Sequence, residues 1–158
     1  MEKTEVRSEP EFQSIEEYLP EVHERDWGTE MFIAKTEHYL GKLLRMKAGS
    51  KGGLQCHVEK DESFYLFSGR ALVEYDPGDG HLITIPMRAG QCFRIPPQAI
   101  HRVTAETECV FIETSTPHYN DRYHAESHYG FPEETGGLPS TWEWVEGGAA
   151  GSGAFVRT

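Results

Sequence analysis

The sequence predicts an all-β barrel or sandwich, and three observations carry that prediction. Between Met31 and Thr114, short apolar and β-branched runs alternate with Gly, Pro and Asp punctuation. No helical period intervenes between those runs, which excludes a parallel α/β sheet. The runs also recur at near-regular spacing, as the strands of a double-layered antiparallel sheet do. With 158 residues and 37% hydrophobic content, the chain is sized for one domain that needs no disulfide or metal staple.

The elements follow in order. Residues 1 to about 30 are polar and acidic, and Ser14-Ile15-Glu16-Glu17 fits a capping box. A short helix is expected through Tyr18-Leu19, stopped by Pro20, so residues 1–26 read as an N-terminal arm. Strands are expected near 31–35, 39–48, 53–58, 63–67, 70–75, 81–87, 92–95, 99–104 and 109–114. Ser68-Gly69 and Asp76-Pro77-Gly78-Asp79-Gly80 read as hairpin turns, while Ala48-Gly49-Ser50 and Arg88-Ala89-Gly90 read as corners. After Pro117 the chain becomes aromatic and histidine-rich, and a short helix is expected around 121–127. Trp142 and Trp144 alternate around Glu143, as an edge strand or docking tail would, and the Gly/Ala/Ser composition of 146–153 reads as a flexible tail. The resulting organisation is an arm at 1–26, a barrel at 27–131 and a C-terminal extension at 132–158.

Charge and cysteine content narrow the function classes. Lys+Arg 15 against Asp+Glu 26 gives a net charge of −11, the wrong sign for gripping nucleic acid or an anionic membrane. No apolar run reaches the ~18 residues of a membrane span, and Met1-Glu2-Lys3-Thr4-Glu5 opens no secretory signal. Cys56, Cys92 and Cys109 are odd in number and show no C-x-x-C spacing. A soluble, cytoplasmic domain is the expectation.

Polar residues on predicted core strands mark the chemistry. Strand alternation puts Gln55 and His57 on one face and Cys56 on the other, while Glu62 opens the next strand and His101 lies on a later one. An amide oxygen, two imidazoles and a carboxylate meeting at one point would form a mixed N/O site for one divalent transition metal, Zn, Mn, Fe, Co or Ni, with two positions left open. The alternative is four separate polar residues that never meet.

The spacing favours convergence. Gly49, Gln55, His57, Glu62 and Gly69 stand at the intervals of the first cupin motif, with Gln55 in place of its first histidine. Gly90, Pro96 and His101 stand at those of the second, with Gln98 where a glycine is usual and Ala105 where an asparagine is usual. The chain thus resembles the cupin superfamily over residues 27–131. That resemblance implies a double-stranded β-helix, or jelly-roll barrel, with the metal inside its mouth. Often such small cupins pair through exposed strands, so a homodimer is expected.

Within the superfamily, Trp27-Gly28-Thr29-Glu30, Tyr39-Leu40-Gly41-Lys42-Leu43-Leu44 and Leu54-Gln55-Cys56-His57 look like the phosphomannose isomerase branch. Ile112-Glu113, Asp121-Arg122-Tyr123 and His128-Tyr129-Gly130 add to the likeness. It implies a glutamine, histidine, glutamate, histidine metal set and an aldose–ketose isomerase acting on a sugar or sugar phosphate. Glu113 and Lys42 are the base candidates for proton shuttling through an enediol held at the metal. Arg94 and Arg102, flanking the second motif, are the candidate substrate-binding cations. The alternatives are an Fe(II) or Ni(II) dioxygenase using the same site, and a metabolite-binding cupin without turnover.

Overall fold

The computed structural model of the chain describes residues 14–118, 120–132, 140–147 and 153–158. Strands dominate. In chain order they are β1 (Glu21–Arg25), β2 (Gly28–Lys35), β3 (Leu40–Met46), β4 (Gln55–His57), β5 (Glu62–Ser68), β6 (Arg70–Tyr75) and β7 (Ile83–Arg88). There follow β8 (Cys92–Ile95), β9 (His101–Ala105), β10 (Cys109–Ser115), β11 (Arg122–His124), β12 (Trp142–Glu146) and β13 (Gly153–Arg157), with a single 3₁₀ turn at Glu126–Tyr129. No helix among the described residues is long and apolar enough to cross a membrane.

Two antiparallel sheets form the sandwich. One has the order β1-β2-β3-β10-β5-β8 and the other β11-β4-β9-β6-β7, while β12 and β13 make a separate hairpin. All nine strands expected between residues 31 and 114 are present, because apolar and polar residues alternate along them with the period of a pleated surface. Neighbours in sequence thus change sheets repeatedly, and that crossing makes the double-stranded β-helix.

Register sorts the interior into two ends. Met46 pairs with Cys109 on β3 and β10, and Phe111 pairs with Leu66 across β10 and β5. These residues pack with Ala71, Val73, Met87 and Ala105 of the opposite sheet in one apolar cluster. Further along the same strands charged residues turn inward: Lys42, two residues from Leu44, lies opposite Glu113, two residues from Phe111, and Glu113 in turn lies opposite Phe64. Glu62 and His101, each first in its strand, complete this polar end. The apolar end supplies the burial that holds the polar end together.

Four expectations need correcting. Residues 14–20 carry no helix, and Glu21–Arg25 pairs with β2 as an edge strand, so pairing with an existing sheet overrides the capping signal; residues 1–13 lie outside the described residues. The expected helix at 121–127 is a strand followed by a 3₁₀ turn, because Arg122, Tyr123 and His124 pair with β4. Ser68-Gly69 is no hairpin turn, since β5 and β6 belong to different sheets. In the expected tail, Gly153–Arg157 pairs with β12, and 148–152 lie outside the described residues.

Gly69 has φ +96°, and a Cβ there would meet the Glu108 carbonyl oxygen at 2.3 Å and Cys109 Sγ at 2.8 Å. Gly49 also has positive φ, at +77°, but a Cβ there would meet nothing within 4 Å. Gly49→Ala is therefore expected to lose about 1–2 kcal/mol from the left-handed backbone alone. Gly69→Ala adds a backbone clash and is expected to lose about 3 kcal/mol or more. Urea unfolding of the two variants checks the order, and equal losses would contradict the crossing assigned to Gly69.

Candidate metal centre

Three side chains converge at the polar end. His57 projects inward from β4, Glu62 from the start of β5 and His101 from the start of β9, and all three are buried. Glu62 Oε1 stands 3.4 Å from His101 Nε2 and 3.7 Å from His57 Nε2. One ligand atom from each of the three lies within 4.8 Å of the others. Donors bonded at about 2.0–2.2 Å to one ion are separated by roughly 3.0–3.6 Å at tetrahedral or octahedral angles. The 3.4 Å separation falls in that range and the 3.7 Å one lies just above it.

Both imidazoles are aimed from behind. His101 Nδ1 donates to the Ala99 carbonyl at 2.9 Å, and His57 Nδ1 donates to Asp121 Oδ1 at 2.9 Å. A ring nitrogen facing a carbonyl or carboxylate carries the proton, so each Nε2 presents a lone pair to the centre. Burial, aided by nearby Lys60, pushes the His57 imidazole below its ordinary range despite Asp121, which keeps the lone pair free at neutral pH. Glu62 is 2% exposed, and neither of its oxygens accepts a well-directed hydrogen bond. Burial alone would raise its pKa, but Lys60 and the two histidines hold the carboxyl far below the usual range. A buried, ionised carboxylate with unused lone pairs beside two free imidazole nitrogens is the donor set of a divalent transition metal.

Gln55 lies directly opposite His101 in the β4–β9 register and shares the His57 face by alternation. That is the position from which an amide oxygen would join the three ligands.

The charged residues behind the centre form a chain. Lys60 Nζ sits 2.5 Å from Glu62 Oε2 and 2.9 Å from Glu113 Oε1. Lys42 Nζ is 3.7 Å from Glu113 Oε1 and 2.8 Å from Glu30 Oε1, and Arg25 closes the series on Glu30 at 2.8 Å. Burial would lower the Lys60 pKa, but Glu113 and Glu62 outweigh it and keep the ammonium charged. The inward direction of Glu113, ambiguous by parity, is settled by its pairing with Lys42, and both side chains are buried.

The two candidate arginines stand elsewhere. Arg102 points to the outer face, where Nε and an Nη each donate to the Glu74 carboxylate at 2.8 Å. Arg94 is exposed and grips Asp61 with two hydrogen bonds of 3.0 and 2.6 Å. Neither guanidinium belongs to the metal cluster. Cys56 faces away from the ligands as alternation requires, and burial pushes its thiol up to about 11, a poor setting for a nucleophile. His124 ends β11 and His128 lies in the 3₁₀ turn, where its Nε2 bonds the Tyr123 hydroxyl at 2.8 Å.

Two residues of the centre escaped the sequence reading. Lys60 lies between β4 and β5, where no alternation assigns a direction. Asp121 was visible only as the head of Asp121-Arg122-Tyr123. Its Oδ2 accepts from the backbone N–H groups of Glu59 and Lys60 at 2.7 and 2.8 Å, while Oδ1 holds His57. One carboxylate thus orients a ligand and shapes the loop that carries Lys60.

Burial raises the Asp121 pKa, but the His57 and backbone hydrogen bonds outweigh it and hold the carboxyl below its ordinary range. The stabilisation is present above the unfolded value of about 3.9 and is lost as the pH falls through the folded value. Asp121→Asn is expected to weaken Zn²⁺ or Mn²⁺ binding roughly 10–100-fold by titration calorimetry. It should also flatten the acid limb of the stability–pH curve, and unchanged metal affinity would contradict the orienting role.

Residues 42–115 match the family described as cupin domain. No curated protein sequence matches the chain. Among solved structures, the capsular polysaccharide assembling protein CapF from Staphylococcus aureus is 21% identical over 68% of this chain and 32% of its own, with a TM-score of 0.60. Oxalate decarboxylase from Bacillus subtilis is 17% identical over 72% of this chain and 32% of its own, with a TM-score of 0.60. KdgF from Halomonas sp. is 20% identical over 59% of this chain and 81% of its own, with a TM-score of 0.51. The chain spans about a third of the CapF and oxalate decarboxylase chains it matches, and at these identities the likeness is one of fold. The sandwich that carries the His57, Glu62 and His101 cluster shares its fold with these structures, and the cluster lies within the stretch that matches the cupin domain.

Proposed function

We propose that the barrel is a metal-dependent acid–base enzyme that interconverts the aldose and ketose forms of a sugar or sugar phosphate. The observation that carries this reading is Glu113, a buried carboxylate held between two ammonium groups on the same interior as the metal cluster. Proton transfer between adjacent carbons needs a base beside the reacting carbons and a means of stabilising the oxyanion that forms. A metal held by His57, Glu62 and His101, with Gln55 as the fourth donor, would supply Lewis-acid polarisation of the substrate's neighbouring carbonyl and hydroxyl oxygens.

The remaining steps belong to the chain. Glu113 takes a proton from the hydroxyl-bearing carbon and returns it to the carbonyl carbon, while the hydroxyl proton passes to the former carbonyl oxygen, so that the two carbons exchange roles with no net change in protons or electrons. Lys60 sits between Glu113 and Glu62 and balances their charge. Lys42, anchored on Glu30, fixes the Glu113 side chain from the other side. The strong acid–base character of this interior favours isomerisation over oxygenation.

The test combines elemental analysis with turnover on a panel of aldoses, ketoses and their phosphates. Stoichiometric Zn, Mn, Co or Ni and turnover on that panel are expected. Glu113→Gln should retain the metal and lower kcat about 10²–10⁴-fold with little change in KM. Stoichiometric iron with oxygen consumption would instead establish the dioxygenase alternative and sink the isomerase reading.

A further inference from the structure

Behind the metal strands lies a second concavity. A pocket of about 410 Å³ opens on the outer face of β4, with Cys56, Ile100, Tyr123, Tyr129, Trp144 and Phe155 in its lining. Its floor, Cys56 and Ile100, belongs to the segments that present His57 and His101 to the barrel interior, so the pocket and the metal cluster lie on opposite sides of one sheet. Phe155 packs edge-on to Tyr123 at 5.3 Å and to Trp144 at 5.1 Å between ring centroids, so these rings stand steeply to one another around the opening. The two phenols are already committed, Tyr123 to His128 and Tyr129 to Asp76. Among the described residues no lysine or arginine lines the pocket. Asp76 and Asp79 stand in the turn beside it, on a chain of net charge −11.

A second observation points to a ligand. Gln98 also lines the pocket, and it is the single non-glycine residue with positive φ among the described residues, at +65°. It occupies the third position of a turn closed by Ala99 N–H donating to the Pro96 carbonyl at 3.2 Å, where a left-handed backbone favours glycine. Its side chain is exposed and makes no hydrogen bond with any described residue, which leaves the amide available to a ligand in the pocket. A left-handed non-glycine residue at a pocket wall is where recognition is to be sought.

We propose that this outer pocket binds a small planar ring compound, uncharged or cationic, stacked among Tyr123, Tyr129, Trp144 and Phe155 with its polar edge bonded to the Gln98 amide. The aromatic walls supply stacking area, and the acidic surroundings disfavour an anion. The site is independent of the metal.

Titration calorimetry of the full chain in EDTA, with nicotinamide, 1-methylnicotinamide and nicotinate as probes of one shape and three charges, tests it. Saturable binding of the first two is expected, with nicotinate at least about ten-fold weaker. Gln98→Gly relieves the strain, so it should raise Tm by about 2–4 °C while weakening nicotinamide about five-fold or more. Trp144→Ala should weaken all binding. No saturation below about 20 mM for either favoured probe overturns the proposal, as do equal affinity for nicotinate and unchanged affinity in Gln98→Gly. A lower Tm in Gln98→Gly overturns the strain argument on which it rests.

Discussion

A carboxylate buried in a barrel loses several kcal/mol of hydration, and it survives there only where cations or directed donors surround it. Glu62 is that carboxylate, and the polar end of this sandwich is arranged around it. Two imidazole nitrogens and one ammonium face it, all within 3.7 Å. Lys60 then carries a charge that must itself be balanced, and Glu113 balances it; Lys42, Glu30 and Arg25 continue the alternation towards the surface. Each member is explained by its neighbour. Removing any inner member would leave an uncompensated charge in the interior.

The apolar end makes this arrangement possible. Met46, Leu66, Phe111 and Ala105 occupy the same strands as the charged residues, a few positions further along. Antiparallel register carries the division consistently across β3, β10 and β5, since a one-residue slip would turn Lys42 and Glu113 outward together. The rigid half of the barrel thus fixes the geometry of the reactive half. The Asp121 carboxylate adds a tie from outside, holding both the His57 ring and the loop amides at Glu59 and Lys60. Segment 121–126 is docked on β4 to deliver it, with Glu126 accepting from the Leu54 N–H at 2.9 Å and Ala125 N–H donating to the Leu54 carbonyl at 2.8 Å.

The same sheet serves two chambers. Alternation along β4 sends His57 inward and Cys56 outward, and the register with β11 brings Tyr123 beside Cys56 on the outer face. The C-terminal hairpin then roofs that face through the Phe155 contact with Tyr123. One sheet therefore separates an acid–base interior from an aromatic exterior.

The amino-acid sequence by itself determined the strands of the barrel and pointed to the cluster. Nine strands and two of the corners follow from period-two alternation and glycine punctuation, which are local and readable, while the convergence of His57, Glu62 and His101 was legible only through the resemblance of their spacing to the cupin motifs. Tertiary structure decided what has no local period. Lys60 enters the barrel because Asp121, distant in the chain, binds its loop. Glu21–Arg25 became a strand because β2 offered an unpaired edge, and no period of its own announced it. Gly69 crosses between sheets instead of closing a hairpin because the carbonyl of Glu108 packs against it. For Lys60 and Gly69 the neighbouring group lies far away in the sequence, and for β1 it is a strand-to-strand pairing; alternation, which speaks only of immediate neighbours, carries no information about either.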